Sequence, residues 1–267
     1  MPDKTMRQIP WICLSAICFL QISLSGCVDS VRTSPKLTFG EVQLRRMMKD
    51  RPPMHRYESA DGAMKTVTKS DTIWKWAVRR LSGERLGQVI HWNPEEPDKP
   101  KAYCADHRYP SGNRKGFIRV RKKYLIGKLK GRPIPFEALW FFLVFELNNI
   151  EGAARFHRVY EQALEGGVSR TSWITRNTMI EYNALCKTVA FYNDVWAPWA
   201  AKNGFRTNPK LWRTTLPDTY GKWIKLYTDK NGYPWDTWGH YYDTQMAPYL
   251  RRLDAARKSD IDEESRS

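Results

Sequence analysis

The stretch that most constrains this chain is Phe136 to Ile150, FEALWFFLVFELNNI, a dense apolar run with one acid near its end. Apolar side chains fall on every side of a 3.6-residue wheel, which predicts a helix buried all round. A membrane span needs about 20 apolar residues, so this shorter run reads as a core helix. Inside it, Glu146 follows Leu139, Trp140, Phe141, Phe142, Leu143, Val144 and Phe145. An ionised carboxylate in such surroundings is costly unless it is paired, protonated or bound to a metal. A partner for Glu146 is therefore expected.

The N-terminal residues address compartment. Lys4 and Arg7 precede an apolar run from Ile9 to Ile22, and Leu24-Ser25-Gly26-Cys27 follows. That is the layout of a secretory signal peptide, and its ending resembles the lipobox of bacterial lipoproteins. The resemblance implies cleavage before Cys27, diacylglycerol on its sulfur and acylation of the new amino group. Two or three chains anchor firmly where a single one binds reversibly. Val28 rather than Asp follows the cysteine, so the usual inner-membrane retention signal is absent. The expected location is the periplasmic face of the outer membrane or the cell surface.

Export bears on the charge. Loss of Met1 to Gly26 removes Lys4, Arg7 and Asp3, which lowers the formal charge of +16 by one. A basic protein of this kind suits anionic partners. Outside the cytoplasm these are lipid phosphates, lipopolysaccharide and anionic wall polymers, or a protein partner, with no nucleic acid expected. A basic surface that only maintains solubility is the plainer alternative. Cys104 and Cys186 are the cysteines left beyond Cys27. An oxidising envelope would allow a disulfide between them, and the sequence leaves open whether they meet. No CxxC pair is present, which excludes a zinc ribbon or redox motif on spacing.

The chain divides into residues 1–26 as signal peptide, 27–37 as lipidated Cys and tether, 38–257 as one globular domain, and 258–267 as a charged tail expected to lack order. Composition, 42% hydrophobic and 13% aromatic, is enough for a full core. Thr38 with Glu41 forms a capping-box pattern that opens a helix to about Lys49. Asp50 to Ser59, with Pro52 and Pro53, reads as a loop, and Ser70 as the cap of a helix bearing Ile73, Trp74, Ala77, Val78 and Leu81. Extended segments are expected at Gln88 to Trp92, Lys101 to Ala105 and Gly116 to Lys122. The last of these alternates Ile118 and Val120 with Arg119 and Arg121, as a sheet with one covered and one solvated face would. A helix follows from Ala153 to Leu164, ending at Gly166-Gly167. A long helix from Ser169 or Thr171 to about Trp196 comes next, stopping before Pro198. Glu181 lies on or beside its packed face, an unusual place for an acid. Short helices are marked by Tyr220, Trp223, Ile224 and Tyr227, and by Met246, Tyr249, Leu250 and Leu253. No fixed-period repeat is evident. The fold class is α+β, mostly helical, with a small sheet packed on a buried central helix.

Strands, a helix with an interior Glu and a later helix with a second interior Glu: this order resembles the core of zincin metallopeptidases, the gluzincin branch in particular. There an H-E-x-x-H helix supplies two zinc-binding His and a general base, and a later helix supplies a Glu ligand. On this chain the motif falls on Phe145-Glu146-Leu147-Asn148-Asn149. Glu146 matches the base and Glu181 the later ligand, while Phe145 and Asn149 occupy both His positions, and Phe cannot ligate a metal. The resemblance covers roughly Ile73 to Trp196 and implies a zincin-like arrangement without its zinc, with Glu146 held by Asn149, an Arg or a water. The alternative is that Glu146 and Glu181 act as a catalytic pair in a peptidase-like hydrolase.

Other chemistries have less behind them. Cys104 and His107 have the spacing of half a zinc site, with no second half following, so no metal and no cofactor are expected. His157 reads as a surface residue. Asp229-Lys230-Asn231-Gly232 opens like an EF-hand loop, but Tyr233, Pro234 and Trp235 replace the later ligands, which leaves a tight turn. No GxSxG elbow, phosphate loop or dinucleotide fingerprint occurs. Asp236 and Asp243 could form an acid pair for sugar hydrolysis. Trp235, Trp238 and Tyr241 could stack on the sugars of a glycan or wall polymer, or simply fill the core with their polar ends bonded. The expectation from sequence is an envelope lipoprotein with a binding or structural role.

Overall fold

A computed structural model describes residues 37–82, 90–92, 104–108, 116–124, 127–228 and 234–264. The expected signal peptide, Cys27 and the turn expected at Asp229–Gly232 lie outside the described residues. The fold is mostly helical α+β, with the small sheets preceding the central helix in the chain.

Helix α1, Phe39–Asp50, starts on the capping box its sequence predicts. Thr38 accepts from the backbone N–H of Glu41, and the Glu41 side chain accepts from the backbone N–H of Thr38. Helix α2, Thr72–Leu81, packs against α1. Their close approach requires Gly40, because a Cβ there would overlap the carbonyl oxygen of Val78. The residue at the N-cap of α2 is Asp71 rather than Ser70. Its carboxylate turns outward to accept from Thr68 N at 2.6 Å and Trp199 Nε1 at 2.8 Å, so the position ties two parts of the chain together.

Between α1 and α2 the expected loop holds a 3₁₀ turn, Pro52–Met54, and then strand β1, Arg56–Glu58. β1 pairs antiparallel with β2, Met64–Thr66, across a turn in which Gly62 takes a φ of 80°. A three-stranded sheet follows in the order β3-β5-β4, from Ile90–Trp92, Gly116–Val120 and Ala105–Arg108. β3 runs parallel and β4 antiparallel to the central β5. The second strand thus begins at Ala105, where the expected segment ends.

β5 corrects a second expectation. Every residue from Gly116 to Arg121 is buried, the two arginines included. A central strand is covered on both faces, so charge here does not mean solvent. Asp106 on β4, opposite Arg119 in the register, accepts from Arg119 Nε at 3.0 Å and from Nη2 at 2.6 Å. This bidentate pair makes the burial of the guanidinium tolerable.

Helix α3, Phe136–Glu151, packs on β4 and β5 on one side and on helix α5, Arg170–Phe191, on another. Trp140, Leu143 and Val144 are fully buried. Trp140 Nε1 donates to Met54 O at 2.7 Å, and Asn148 Nδ2 donates to Thr188 Oγ1 of α5 at 3.0 Å. Helix α4, Ala153–Leu164, has the predicted limits. Ser169 caps α5 by accepting from Ser172 N. Gly152, at the α3–α4 corner, leaves room for Ile180 of α5, which any Cβ there would crowd.

The long helix does not stop before Pro198. α5 passes into a π-turn, Tyr192–Trp196, and continues as α6, Ala197–Lys202. Proline lacks an N–H and its ring collides with the carbonyl four residues back; the wider turn, in which Ala197 N–H reaches Tyr192 O, relieves both conflicts. The same device recurs. Helix α7 spans Tyr220–Thr228, and α8, Trp235–Tyr241, passes through the π-turn Tyr242–Met246 into α9, Ala247–Glu264, with Ala247 N–H reaching Tyr242 O and Pro248 next. The two segments read FYNDVWAPW and YYDTQMAPY. This local echo has no period, and it shows only when the two π-turns are laid side by side. α9 carries the charged stretch after Lys258 as helix as far as Glu264, beyond the expected end of order.

Two apolar clusters result. One gathers α1, α2, β5, α3 and the tryptophan-rich segment through Trp212; the other lies under α4, the first half of α5 and the α8–α9 region.

Candidate functional site

Glu146 is 7% exposed on the sheet-facing part of α3. Its partner is His107 of β4, whose Nδ1–H donates to Oε2 at 2.5 Å. Where Asn149, an Arg or a water was expected, the protein partner of this oxygen is an imidazole from the neighbouring strand. The pair forms because the β4 pleat directs His107 toward the helix that covers the sheet, while α3 turns Glu146 toward the sheet. Phe145, at the first of the two positions where zincins carry His, stacks on Phe141 with an interplanar angle of 4°. That position is used for packing.

Glu181 is also 7% exposed, on α5. Trp238 of α8 donates its indole N–H to Oε1 at 2.9 Å. The two acids are therefore engaged by different elements: Glu146 by a strand and Glu181 by a C-terminal helix. Trp238 also stacks on Phe156 at 18°, Tyr241 stacks on Trp173 at 13°, and Trp235 packs against the same cluster. One face of Trp238 and one of Tyr241 is thus covered by protein.

A third buried acid went unremarked in the sequence. Glu137, in the first turn of α3, accepts through Oε1 from Trp212 Nε1 at 2.8 Å, Asn208 N at 2.9 Å and Trp196 Nε1 at 3.2 Å, and from the Thr207 hydroxyl. Asn208 N also reaches Oε2 at 3.0 Å. This carboxylate fastens the irregular segment after Phe205 to the start of the central helix. The signal that could have found it is positional: an acid in the first turn of a buried helix, favoured by the helix dipole, in a chain with many indole donors.

The remaining candidates are dispersed. Asp243 pairs with Arg170 on the surface, Nε to Oδ1 at 2.8 Å, and that hydrogen bond holds the carboxyl below its ordinary range. Asp236 is exposed. His157 is an exposed residue that pairs with Glu161, as its surface reading implied. Cys104 and Cys186 are both free thiols, and burial pushes the Cys104 thiol up, away from reactive thiolate character. Among the described residues no three His, Cys, Asp or Glu side chains are grouped closely enough to hold a metal ion. No described helix is long and apolar enough to cross a membrane. No family model matches the chain, and no curated protein or solved structure is matched by it.

Proposed function

We propose that this chain is a lipid-anchored protein of the cell envelope whose domain has a binding or structural role, on a zincin-like scaffold that has lost its zinc. The observation that carries the non-catalytic part is the engagement of both conspicuous acids in tertiary hydrogen bonds, Glu146 with His107 and Glu181 with Trp238. A hydrolytic pair needs carboxylates directed at a shared substrate space. Here each is a strut between elements. The order of strands, α3 and α5, with α3 packed on both the sheet and α5, supports the scaffold reading. Leu24-Ser25-Gly26-Cys27 supports the anchor.

The tests are separate. Labelled palmitate supplied to an expressing bacterium is expected to enter the wild-type chain and not Cys27→Ala; label in both or neither removes the anchor. Elemental analysis of protein purified without chelator is expected to find no stoichiometric transition metal. Metal present in the wild type and lost in Glu181→Ala would restore a peptidase reading.

One observation favours a second reading. A carboxylate bonded to imidazole Nδ1 is the arrangement that orients a histidine general base, so His107, not Glu146, would be the proton acceptor of a hydrolase. Turnover of an envelope peptide or glycan that disappears in a folded His107→Ala protein would establish it.

A further inference from the structure

The end of β5 runs into a backbone-paired, strongly basic stretch. Lys123 bridges Pro133 antiparallel, Ile134 N donates to Lys122 O at 2.9 Å, and Tyr124 N donates to Arg132 O at 3.0 Å. These bonds pair residues 122–124 with residues 132–134 in the stretch between β5 and α3. Gly127–Leu129 form a 3₁₀ turn, and Gly131 N donates to Tyr124 O at 2.8 Å. Gly131 adopts a φ of 81°, and a Cβ built on it would meet nothing within 4 Å.

Five cations are exposed on this stretch: Lys122, Lys123, Lys128, Lys130 and Arg132. The stretch from Lys122 to Pro135 contains no Asp or Glu. Some other surface cations are answered by a carboxylate, as Lys69 is by Glu41, Lys222 by Asp218 and Arg170 by Asp243. None of these five is ion-paired within the described residues. Between Lys128 and Lys130 stands Leu129, 43% exposed, one of the few large apolar side chains open to solvent among the described residues.

We infer that Lys122, Lys123, Lys128, Lys130 and Arg132, with Leu129, form a docking element for a membrane surface rich in anionic lipid headgroups. Clustered lysines attract phosphate headgroups by charge alone, each adding modestly, with range limited to a Debye length. An apolar side chain flanked by those lysines suits a lipid interface, where it can leave water while the ammonium groups stay among the headgroups. A nucleic acid or polysaccharide would use the charges and gain little from Leu129. The choice of a membrane as partner rests on the envelope reading. The charge of the stretch does not. Together with acyl chains at Cys27 it would make a second attachment point and fix which side of the domain faces the bilayer.

The test is sedimentation of the full chain with vesicles of neutral phosphatidylcholine, and of phosphatidylcholine with phosphatidylglycerol. Cys27 is intact in every variant, so that any anchor contributes equally and the readout is the ratio of the two partition coefficients. The basic-stretch variant is K128E/K130E/R132E, and the charge-matched control is R251E/R252E/K258E on exposed positions of α9. The basic-stretch variant is expected to lose at least about tenfold of the preference for anionic vesicles, and the control to keep most of it. Leu129→Ser is expected to weaken anionic-vesicle binding several-fold while leaving retention on a heparin column unchanged. Equal losses in basic-stretch and control variants would reduce the effect to net charge and overturn the assignment. So would an unchanged basic-stretch variant, or one that loses heparin retention but keeps its vesicle preference. If the charge-reversed protein does not fold, as judged by near-ultraviolet circular dichroism, K128Q/K130Q gives the same reading with a smaller change. These outcomes do not depend on palmitate labelling at Cys27, so failure of the anchor and failure of the docking element can be told apart.

Discussion

At the scale of single residues, buried acids in this protein are best understood through their donors. Glu137 receives hydrogen bonds from two indoles, a hydroxyl and a backbone N–H. Truncating it would leave several of those groups buried and unpaired, each with a desolvation cost. Glu137→Ala is therefore expected to destabilise by about 3–5 kcal/mol in urea unfolding, more than the corresponding change at Glu146. Tyr182 offers a pH handle. Its hydroxyl donates to Pro217 O at 2.7 Å, and burial pushes its pKa up to about 12. A raised folded pKa means that the neutral phenol is the form the fold favours. This contribution is fully present below the unfolded value of about 10 and is lost as pH rises toward 12. Wild type should thus lose stability more steeply than Tyr182→Phe between those pH values, measured by unfolding at fixed urea. Parallel curves would place the sensitivity elsewhere.

At the scale of elements, sequence patterns located helices well where local chemistry sets their limits. α4 ends where Gly166 can take its φ of 83°, and α1 begins on a capping box made of neighbouring residues. Strands were harder to read. β1 and β2 are three residues each, too short for alternation to register. The arginines of β5 look like a solvated face because their answering acid sits on another strand, and the inter-strand register is not a local property. The candidate site divides the same way: Glu146 is conspicuous in an apolar run, whereas His107 becomes its partner only when β4 lies against α3. Helix packing gives a direct prediction. Gly40→Ala would drive a Cβ into the backbone of α2, so α1 and α2 must separate. A cost of about 2–4 kcal/mol is expected from overpacking and lost burial, read as a lower urea midpoint. Gly221→Ala, on an exposed helical position with open space around it, should be neutral or slightly stabilising.

At the scale of the molecule, α3 is the common support. The sheet, α5 and the tryptophan-rich segment all bear on it, and each bears on it partly through a carboxylate or amide of that helix. A central helix hydrogen-bonded in this way suits a rigid domain, with Glu137, Glu146 and Glu181 committed to the interior. The central claim is that the His107–Glu146 contact holds the sheet to α3. Its most direct test is a double-mutant cycle: His107→Ala, Glu146→Ala and the double variant, each unfolded in urea. Removing either partner alone should destabilise by about 1–3 kcal/mol, and removing both should cost clearly less than the sum of the two, leaving a coupling energy above about 1 kcal/mol. Coupling near zero, with single variants as stable as the wild type, would contradict it. The pair would then be unnecessary to the fold and free for chemistry.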